Sequence, residues 1–248
     1  MNKVILITGA SRGIGAATAL EAAKRGYAVC INYHRNFGAA AKLSLDIKKA
    51  GGSAMILPAD VGVESEVVAM FQKLDQTYGP LTALVNNAGF TEKQTRVEEM
   101  NAARIHRVFS TNVTGSFLCA REAIKRMSTK HGGQGGAIVN VSSLAAQLGG
   151  PGEYIDYAAA KGAIDTMTVG LAKEVADEGI RVNGVRPGLI HTEFHAGGGD
   201  PERVDRLKET IPMKRGGMPE EIAKAILWLL SDEASYCTGT ILNVSGGR

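Results

Sequence analysis

Residues 4–15 read Val4-Ile5-Leu6-Ile7-Thr8-Gly9-Ala10-Ser11-Arg12-Gly13-Ile14-Gly15. A short apolar run feeds a glycine-rich turn, and the turn opens a helical pattern. The glycines are spaced G-x-x-x-G-x-G rather than G-x-G-x-x-G, but the physical demand is the same. Glycine lets the backbone turn sharply and approach a pyrophosphate, and the helix N-terminus offers free N–H groups and positive potential. Gly9, Ser11, Arg12, Gly13, Ile14 and Gly15 are therefore candidate dinucleotide contacts. The bland alternative is a plain strand-to-helix turn.

The same alternation continues outward. Val4–Ile7, Ala28–Tyr33, Ala54–Leu57, Ala83–Asn86, Ala137–Val141, Ile180–Val185 and Thr240–Val244 read as strands. Several are apolar on both faces, as parallel strands buried between helices must be. Helical patterns lie between them, after the glycine turn to Lys24, then at Ala39–Lys49, Glu64–Tyr78, about Ala102–Met127, Tyr157–Asp177 and Pro219–Leu230. This order predicts an α/β fold, a doubly wound parallel sheet of about seven strands in one domain over residues 1–248. The composition agrees: 44% hydrophobic and 21% charged residues suit a globular chain, and 31 glycines, above the usual ~7%, gather in short turn-like clusters. Two stretches break the rhythm, and the first, Lys130–Gly136, is a Gly-rich turn before a strand. The second, His191–Pro212, is polar, contains Gly197-Gly198-Gly199 and follows a strand end. Ligands of such sheets bind beyond the carboxyl ends of the strands, so residues about 191–212 are a candidate substrate lid.

The second strand bears on the choice of cofactor. An NAD site of this type carries Asp or Glu about 20 residues beyond the glycines, to hold the ribose. Here the segment reads Asn32-Tyr33-His34-Arg35-Asn36, without an acid. Arg35 and Arg12, with His34 beside them, are candidates to face an adenosine 2′-phosphate, because guanidinium presents a planar fork of donors. The expected cofactor is NADP(H). Two solvated surface arginines are the alternative.

A second constellation carries proton chemistry. Tyr157-Ala158-Ala159-Ala160-Lys161 opens a helix, and Tyr157 and Lys161, at i and i+4, share a face. A free phenol has a pKa near ~10, and a nearby ammonium is expected to lower it, making a general acid–base pair. Asn140-Val141-Ser142-Ser143 closes the fifth strand. A serine there meets a substrate oxygen, or else caps a turn.

Taken in order, these segments resemble the short-chain dehydrogenase/reductase family over nearly the whole chain. The resemblance rests on Thr8–Gly15, on Asn86-Asn87-Ala88-Gly89, on Ser143 with Tyr157-x-x-x-Lys161, and on Arg186-Pro187-Gly188-Leu189-Ile190-His191-Thr192. It implies a Rossmann-type fold and a hydride transfer between a nicotinamide and a carbonyl or alcohol. It implies that Asn87, Ala88 and Gly89 line the cofactor, that Asp60 and Val61 flank the adenine, and that Pro187, Gly188, Ile190 and Thr192 lie by the nicotinamide. Asn112, within Ser110-Thr111-Asn112-Val113, matches the family's catalytic asparagine, which holds a water near the lysine. Ser143, Tyr157 and Lys161 complete the implied catalytic set, with Lys161 also on the ribose. The family's Ser-to-Tyr gap is about thirteen residues; from Ser143 it is fourteen. Counting back thirteen lands on Leu144, so one inserted residue within Gln147–Asp156 is inferred. Ser142 is the fallback, and Tyr154 is expected on the substrate side.

Other classes are disfavoured. A net charge of +3 without like-charge runs argues against nucleic acid. Cys30, Cys119 and Cys237 are sparse and odd in number, reading as reduced thiols. Met1-Asn2-Lys3 runs straight into the first strand without a secretory h-region, and no apolar run approaches the ~20 residues that span a bilayer. The expected location is the cytoplasm, with no membrane partner. His191 and His195 are spaced i, i+4 but lack H-E-x-x-H order, so no metal is expected. Substrate expectations divide between a small ketone, alcohol or sugar, and, as the alternative, a 3-oxoacyl group on acyl carrier protein. The acidic Asp177-Glu178, where those carrier-protein reductases tend to be basic, favours the former, although Lys130 remains nearby. A non-catalytic dinucleotide sensor is the reading from another class. Resemblance also implies a homo-oligomer, expected to be a tetramer.

Overall fold

Val4 and Leu6 point to one face of the first strand and Ile5 and Ile7 to the other, and all four are buried. That is the period-two pattern of a strand covered on both sides. The structure, a computed structural model, describes residues 3–248; Met1 and Asn2, where the leader-free reading begins, lie outside the described residues. In chain order the elements are β1 (Lys3–Ile7), α1 (Gly13–Lys24), β2 (Tyr27–Tyr33), α2 (Phe37–Lys49), β3 (Ser53–Pro58), α3 (Glu64–Tyr78), β4 (Ala83–Asn86), α4 (Ala102–Phe109), α5 (Gly115–Met127), β5 (Gly136–Val141), α6 (Ala145–Leu148), α7 (Ile155–Val175), β6 (Ile180–Pro187), α8 (Phe194–Gly197), α9 (Arg203–Leu207), α10 (Pro219–Leu230) and β7 (Ile241–Val244).

All seven strands form one parallel sheet in the order β3-β2-β1-β4-β5-β6-β7. The expected Rossmann-type architecture is therefore present. One face packs Ile5, Ile7, Val29, Ile31, Val139 and Val185 against Ile47 of α2 and Ile222 and Ile226 of α10. The other packs Val4, Leu6, Leu84, Ile138 and Val182 against Phe71 and Leu74 of α3, Ala123 of α5 and Val175 of α7. Each such side chain, fully buried, contributes about 1.5–3 kcal/mol of transfer free energy. Cys30 and Cys119 lie in this second layer, and burial pushes both thiols up to about 12. No helix among the described residues is long and apolar enough to cross a membrane.

Two elements differ from the sequence reading. The helix expected over 102–127 is interrupted by a π-helical turn at Ser110–Thr114. Asn112 accounts for it locally: its side-chain amide donates to the carbonyls of Phe90 (2.9 Å) and Val108 (2.8 Å), turning the residue inward. The segment 191–212, read as polar and irregular, contains the short helices α8 and α9. Its polar sequence hides a small core in which Val204 and Ile211 are buried with Leu189.

The chain lays β1, β2 and β3 outward in one direction, then returns to place β4 on the other side of β1. This reversal between β1 and β4 opens a crevice at the carboxyl ends of the strands.

Candidate active site

A cleft of about 900 Å³ occupies that crevice. Gly9, Arg12, Gly13, His34, Arg35, Asp60, Asn87, Gly89, Ser143, Tyr157, Lys161, Pro187, Gly188, Ile190 and Thr192 all line it. So do Ser11, Ile14, Val61 and Ala88. Among the residues singled out, Gly15 and Asn112 are not part of the lining surface; both support it from behind.

Strand ends are stitched together at the glycine turn. Gly9 adopts φ +59°, and a Cβ there would lie 2.8 Å from Ala88 Cα. Only glycine lets β1 and β4 release their loops so close together. Asn87 donates its side-chain amide to the carbonyls of Thr8 (2.8 Å) and Gly9 (3.1 Å), while the Thr8 hydroxyl accepts from the backbone N–H groups of Asn87 and Ala88, both at 2.9 Å. Asn32 carries no charge, yet it is a linchpin of the turn. Its Oδ1 accepts from Gly9 N (3.0 Å), and its amide donates to Leu57 and Ala59 carbonyls (3.2 and 3.1 Å). A polar residue inside an otherwise apolar β2 was the available signal.

Behind this turn the candidate catalytic residues converge. Tyr157 is buried at the start of α7, and burial pushes its pKa above the usual 10 against the opposing hydrogen bond with the Ser143 hydroxyl. Ser142 turns the other way, donating to the Lys161 carbonyl at 3.2 Å. The Ser143 hydroxyl accepts from the Ala145 backbone N–H at 3.1 Å, capping the turn, and lies close enough to Tyr157 to lower the phenol pKa against burial. Lys161 Nζ donates to the Val141 carbonyl at 2.7 Å and lies 5.6 Å from the Tyr157 ring centroid. Burial lowers its pKa to about 8, with Asp165 opposing. The expectation that Lys161 lowers the phenol pKa is thus not met in this geometry. The ammonium is engaged by Val141, and desolvation dominates both groups.

A cofactor-sized hollow remains in front of these groups. A Cβ on Gly89 would lie 2.6 Å from Asn112 Oδ1 and 3.4 Å from Lys161 Nζ. Asn112 Oδ1 is buried without a hydrogen-bond partner. The orphaned acceptor sits behind Gly89, off the cleft surface and near the Lys161 ammonium, which suits a bridging water. The residues present fit a nicotinamide dinucleotide, with the glycine turn at its pyrophosphate end.

At the adenosine end the arginines are less convergent than the sequence suggests. Arg12 is exposed and bonds Glu193 of the 191–212 segment at 3.1 Å, while Arg35, on the lining, makes no ion pair among the described residues. His34 Nε2 is 3.8 Å from Asp60 Oδ2. Among the described residues no group of three or more His, Cys, Asp or Glu is placed to hold a metal.

Two buried ion pairs went unnoticed in the sequence. Arg104 of α4 bonds Asp156 (2.7 Å), whose Oδ1 accepts the Tyr157 backbone N–H (2.9 Å). Arg203 of α9 bonds Glu153 and the Tyr154 hydroxyl (2.7 Å), pinning the 191–212 segment to the loop inferred to carry the insertion. Both join residues 49 or more positions apart, so no local pattern announces them.

A family model described as enoyl-(acyl carrier protein) reductase matches residues 9–248. The chain is 61% identical to "Uncharacterized oxidoreductase YgfF" of Escherichia coli (strain K12), over 99% of both chains. It is 39% identical to "Glucose 1-dehydrogenase 2" of Bacillus subtilis (strain 168), over 99% of this chain and 94% of that one. It is 36% identical to "3-oxoacyl-[acyl-carrier-protein] reductase FabG" of Staphylococcus epidermidis, over 100% and 99%. With a match along almost its whole length and relatives covered end to end, the chain belongs to the short-chain dehydrogenase/reductase family of nicotinamide-dependent oxidoreductases.

Proposed function

We propose that the protein is an NADP(H)-dependent oxidoreductase interconverting a small carbonyl compound and its secondary alcohol. The observation that carries this reading is the buried Tyr157 phenol beside the Ser143 hydroxyl, with Lys161 lining the same cleft and the orphaned Asn112 oxygen packed behind Gly89. The cofactor, when bound, supplies or accepts the hydride. Ser143 donates a hydrogen bond to the carbonyl oxygen and fixes its position. Tyr157 delivers a proton to that oxygen as negative charge develops on it. Lys161 returns a proton toward Tyr157, and Asn112 Oδ1 accepts from a water that links Lys161 to solvent. In oxidation the same groups run the proton the other way.

NADP(H) is preferred because the end of β2 offers His34 and Arg35 and no carboxylate that would bind ribose hydroxyls or repel a 2′-phosphate. Arg12 contributes after leaving Glu193, a pair so exposed that it holds the side chain only weakly. A charge-assisted bond contributes about 1.5–3 kcal/mol, nearer the lower figure at this exposure, and ~1.4 kcal/mol is a decade. Paired kinetics with NADPH and NADH test the reading. A preference of about tenfold or more for NADPH is expected, narrowing in Arg35→Ala. Equal efficiency with NADH overturns the cofactor assignment, and an unchanged ratio in the variant moves it from Arg35 to Arg12 or His34.

The relatives' names divide between sugars and acyl thioesters, so they do not choose a substrate. Lys130 does not decide for an acidic carrier protein: its exposed ammonium pairs with Glu178 at 2.9 Å and Asp177 at 3.5 Å, contacts weak enough to exchange.

A further inference from the structure

Two rings flank the Tyr157 phenol. Tyr154 meets it edge-on, with centroids 5.8 Å apart and planes at 89°, and Phe194 of α8 meets it tilted at 5.5 Å. Phe90, Leu144 and Leu148 continue this side of the cleft. Thr91, Gln94 and His195 also line the cleft, so rings and aliphatic groups meet a few neutral polar groups around the Tyr157 phenol.

Charged groups in the same wall are spent on one another. Arg203, with 6% of its side chain exposed, places Nη1 2.8 Å from one Glu153 oxygen and Nη2 2.6 Å from the other. Nη2 also donates to the Tyr154 hydroxyl at 2.7 Å, and Asp200 lies 3.8 Å from Nη1. Arg203 Nε is buried without a partner, but the guanidinium already faces two carboxylates, so a third anion gains little from it. Arg107 is bound to Glu92 at 2.8 Å and Arg104 to Asp156 at 2.7 Å. The pKa of half-buried His195 is lowered by burial and by Arg203, which keeps the ring uncharged at neutral pH. Arg248 is exposed on the lining and screened by water.

A ligand in this half meets ring faces and edges, with Ser143 and Tyr157 at its reacting oxygen and only Thr91, Gln94 and His195 as further neutral polar side chains, too few for a sugar's full set of hydroxyls. A sugar buries several hydroxyls at once, and each hydroxyl without a partner opposes binding. A carboxylate would have to displace Glu153 or lie unpaired. Resting on the reading of Tyr157 as the proton donor, we propose that the substrate half takes an uncharged ketone, or the matching alcohol, bearing an aromatic substituent that lodges between Tyr154 and Phe194.

The test is steady-state kinetics of the full chain with NADPH on ethyl benzoylformate and benzoylformate, which share ring and ketone and differ in charge. Ethyl pyruvate, which lacks the ring, glucose with NADP⁺, and an acetoacetyl N-acetylcysteamine thioester complete the panel. Ethyl benzoylformate should exceed each of the others in kcat/KM by about tenfold or more, the scale of one buried ring contact or one avoided charge burial. Phe194→Leu should reduce the benzoylformate-ester to pyruvate-ester ratio several-fold. Faster turnover of the acid, glucose or the thioester overturns the proposal, as does an unmoved ratio in the variant. If no substrate is turned over, the oxidoreductase reading fails by itself. Titration of the NADPH complex with acetophenone, followed by nucleotide fluorescence, then decides this inference separately: saturable binding sustains it and absence of binding ends it.

Discussion

At Tyr157 burial does more than hide a polar group. It keeps the phenol protonated well above neutral pH, and a protonated phenol is the form that reduction requires. Tyr157→Phe removes that proton and little bulk. General acid–base catalysis contributes about 10²–10⁴-fold, so turnover should fall by at least that range while NADPH still binds, as read by nucleotide fluorescence. Retention of more than about a tenth of the wild-type rate would show that another group delivers the proton. Lys161 sets a second expectation. Its pKa, lowered by burial to about 8 from the usual 10.5 and partly restored by Asp165, places loss of the ammonium within an accessible pH range. Reduction consumes a proton, so kcat/KM for the carbonyl should fall as pH rises through about 8. Asp165→Asn removes the restoring charge and leaves Arg186, now 2.9 Å from the carboxylate, unopposed. Both effects disfavour the ammonium, so the limb should move to lower pH. A pH–rate profile with an unmoved limb would detach Lys161 from proton return.

Between elements, the start of α7 is held by one buried pair. Arg104 and Asp156 side chains are 9% and 2% exposed, and Arg104 also donates to the Lys93 carbonyl at 2.7 Å. Arg104→Met leaves the Asp156 charge buried without its partner. Breaking such a pair costs about 3–5 kcal/mol, which urea unfolding should read as a lower midpoint at constant slope. A loss below about 1 kcal/mol would mean that water reaches Asp156. This pair also marks where sequence reading stops. The strands were legible because period-two and all-apolar runs follow from burial on two faces, and the glycine turn was legible because sharp turns and anion approach both demand glycine. The gap one residue too long favours Ser143 over Ser142; in the fold Ser142 donates to the Lys161 carbonyl and Ser143 accepts from the Ala145 N–H. The π-turn around Asn112, the Arg203–Glu153 pair and the capture of Arg12 by Glu193 depend on partners distant in the chain. Local periodicity carries no trace of them, and the polar look of 191–212 concealed Val204 and Ile211.

For the whole molecule, two separate faces remain apolar and uncovered. On one, α4, α5 and α7 leave Ile105, Phe117 and Val169 exposed. On that α7 surface a Cβ at Gly162 or Gly170 would meet nothing within 4 Å, so nothing inside the chain requires glycine there, and a partner helix can approach closely. On the other, β7 is an edge strand, paired among the described residues with β6 alone, and Leu242 on it, Trp228 of α10 and Tyr236 are exposed. Unpaired edges and clustered exposed rings are liabilities unless another chain covers them. Closed assemblies use two-fold contacts most often, and two independent two-fold faces on one chain generate a tetramer of D2 symmetry. Light scattering at micromolar concentration should therefore return four times the 26.1 kDa chain mass. Phe117→Glu and Trp228→Glu each place a charge in one face only, so each variant should stop at a dimer, and the double variant at a monomer. A monomeric wild type would overturn the assembly, and a tetramer that survives both substitutions would place the contacts elsewhere on the surface.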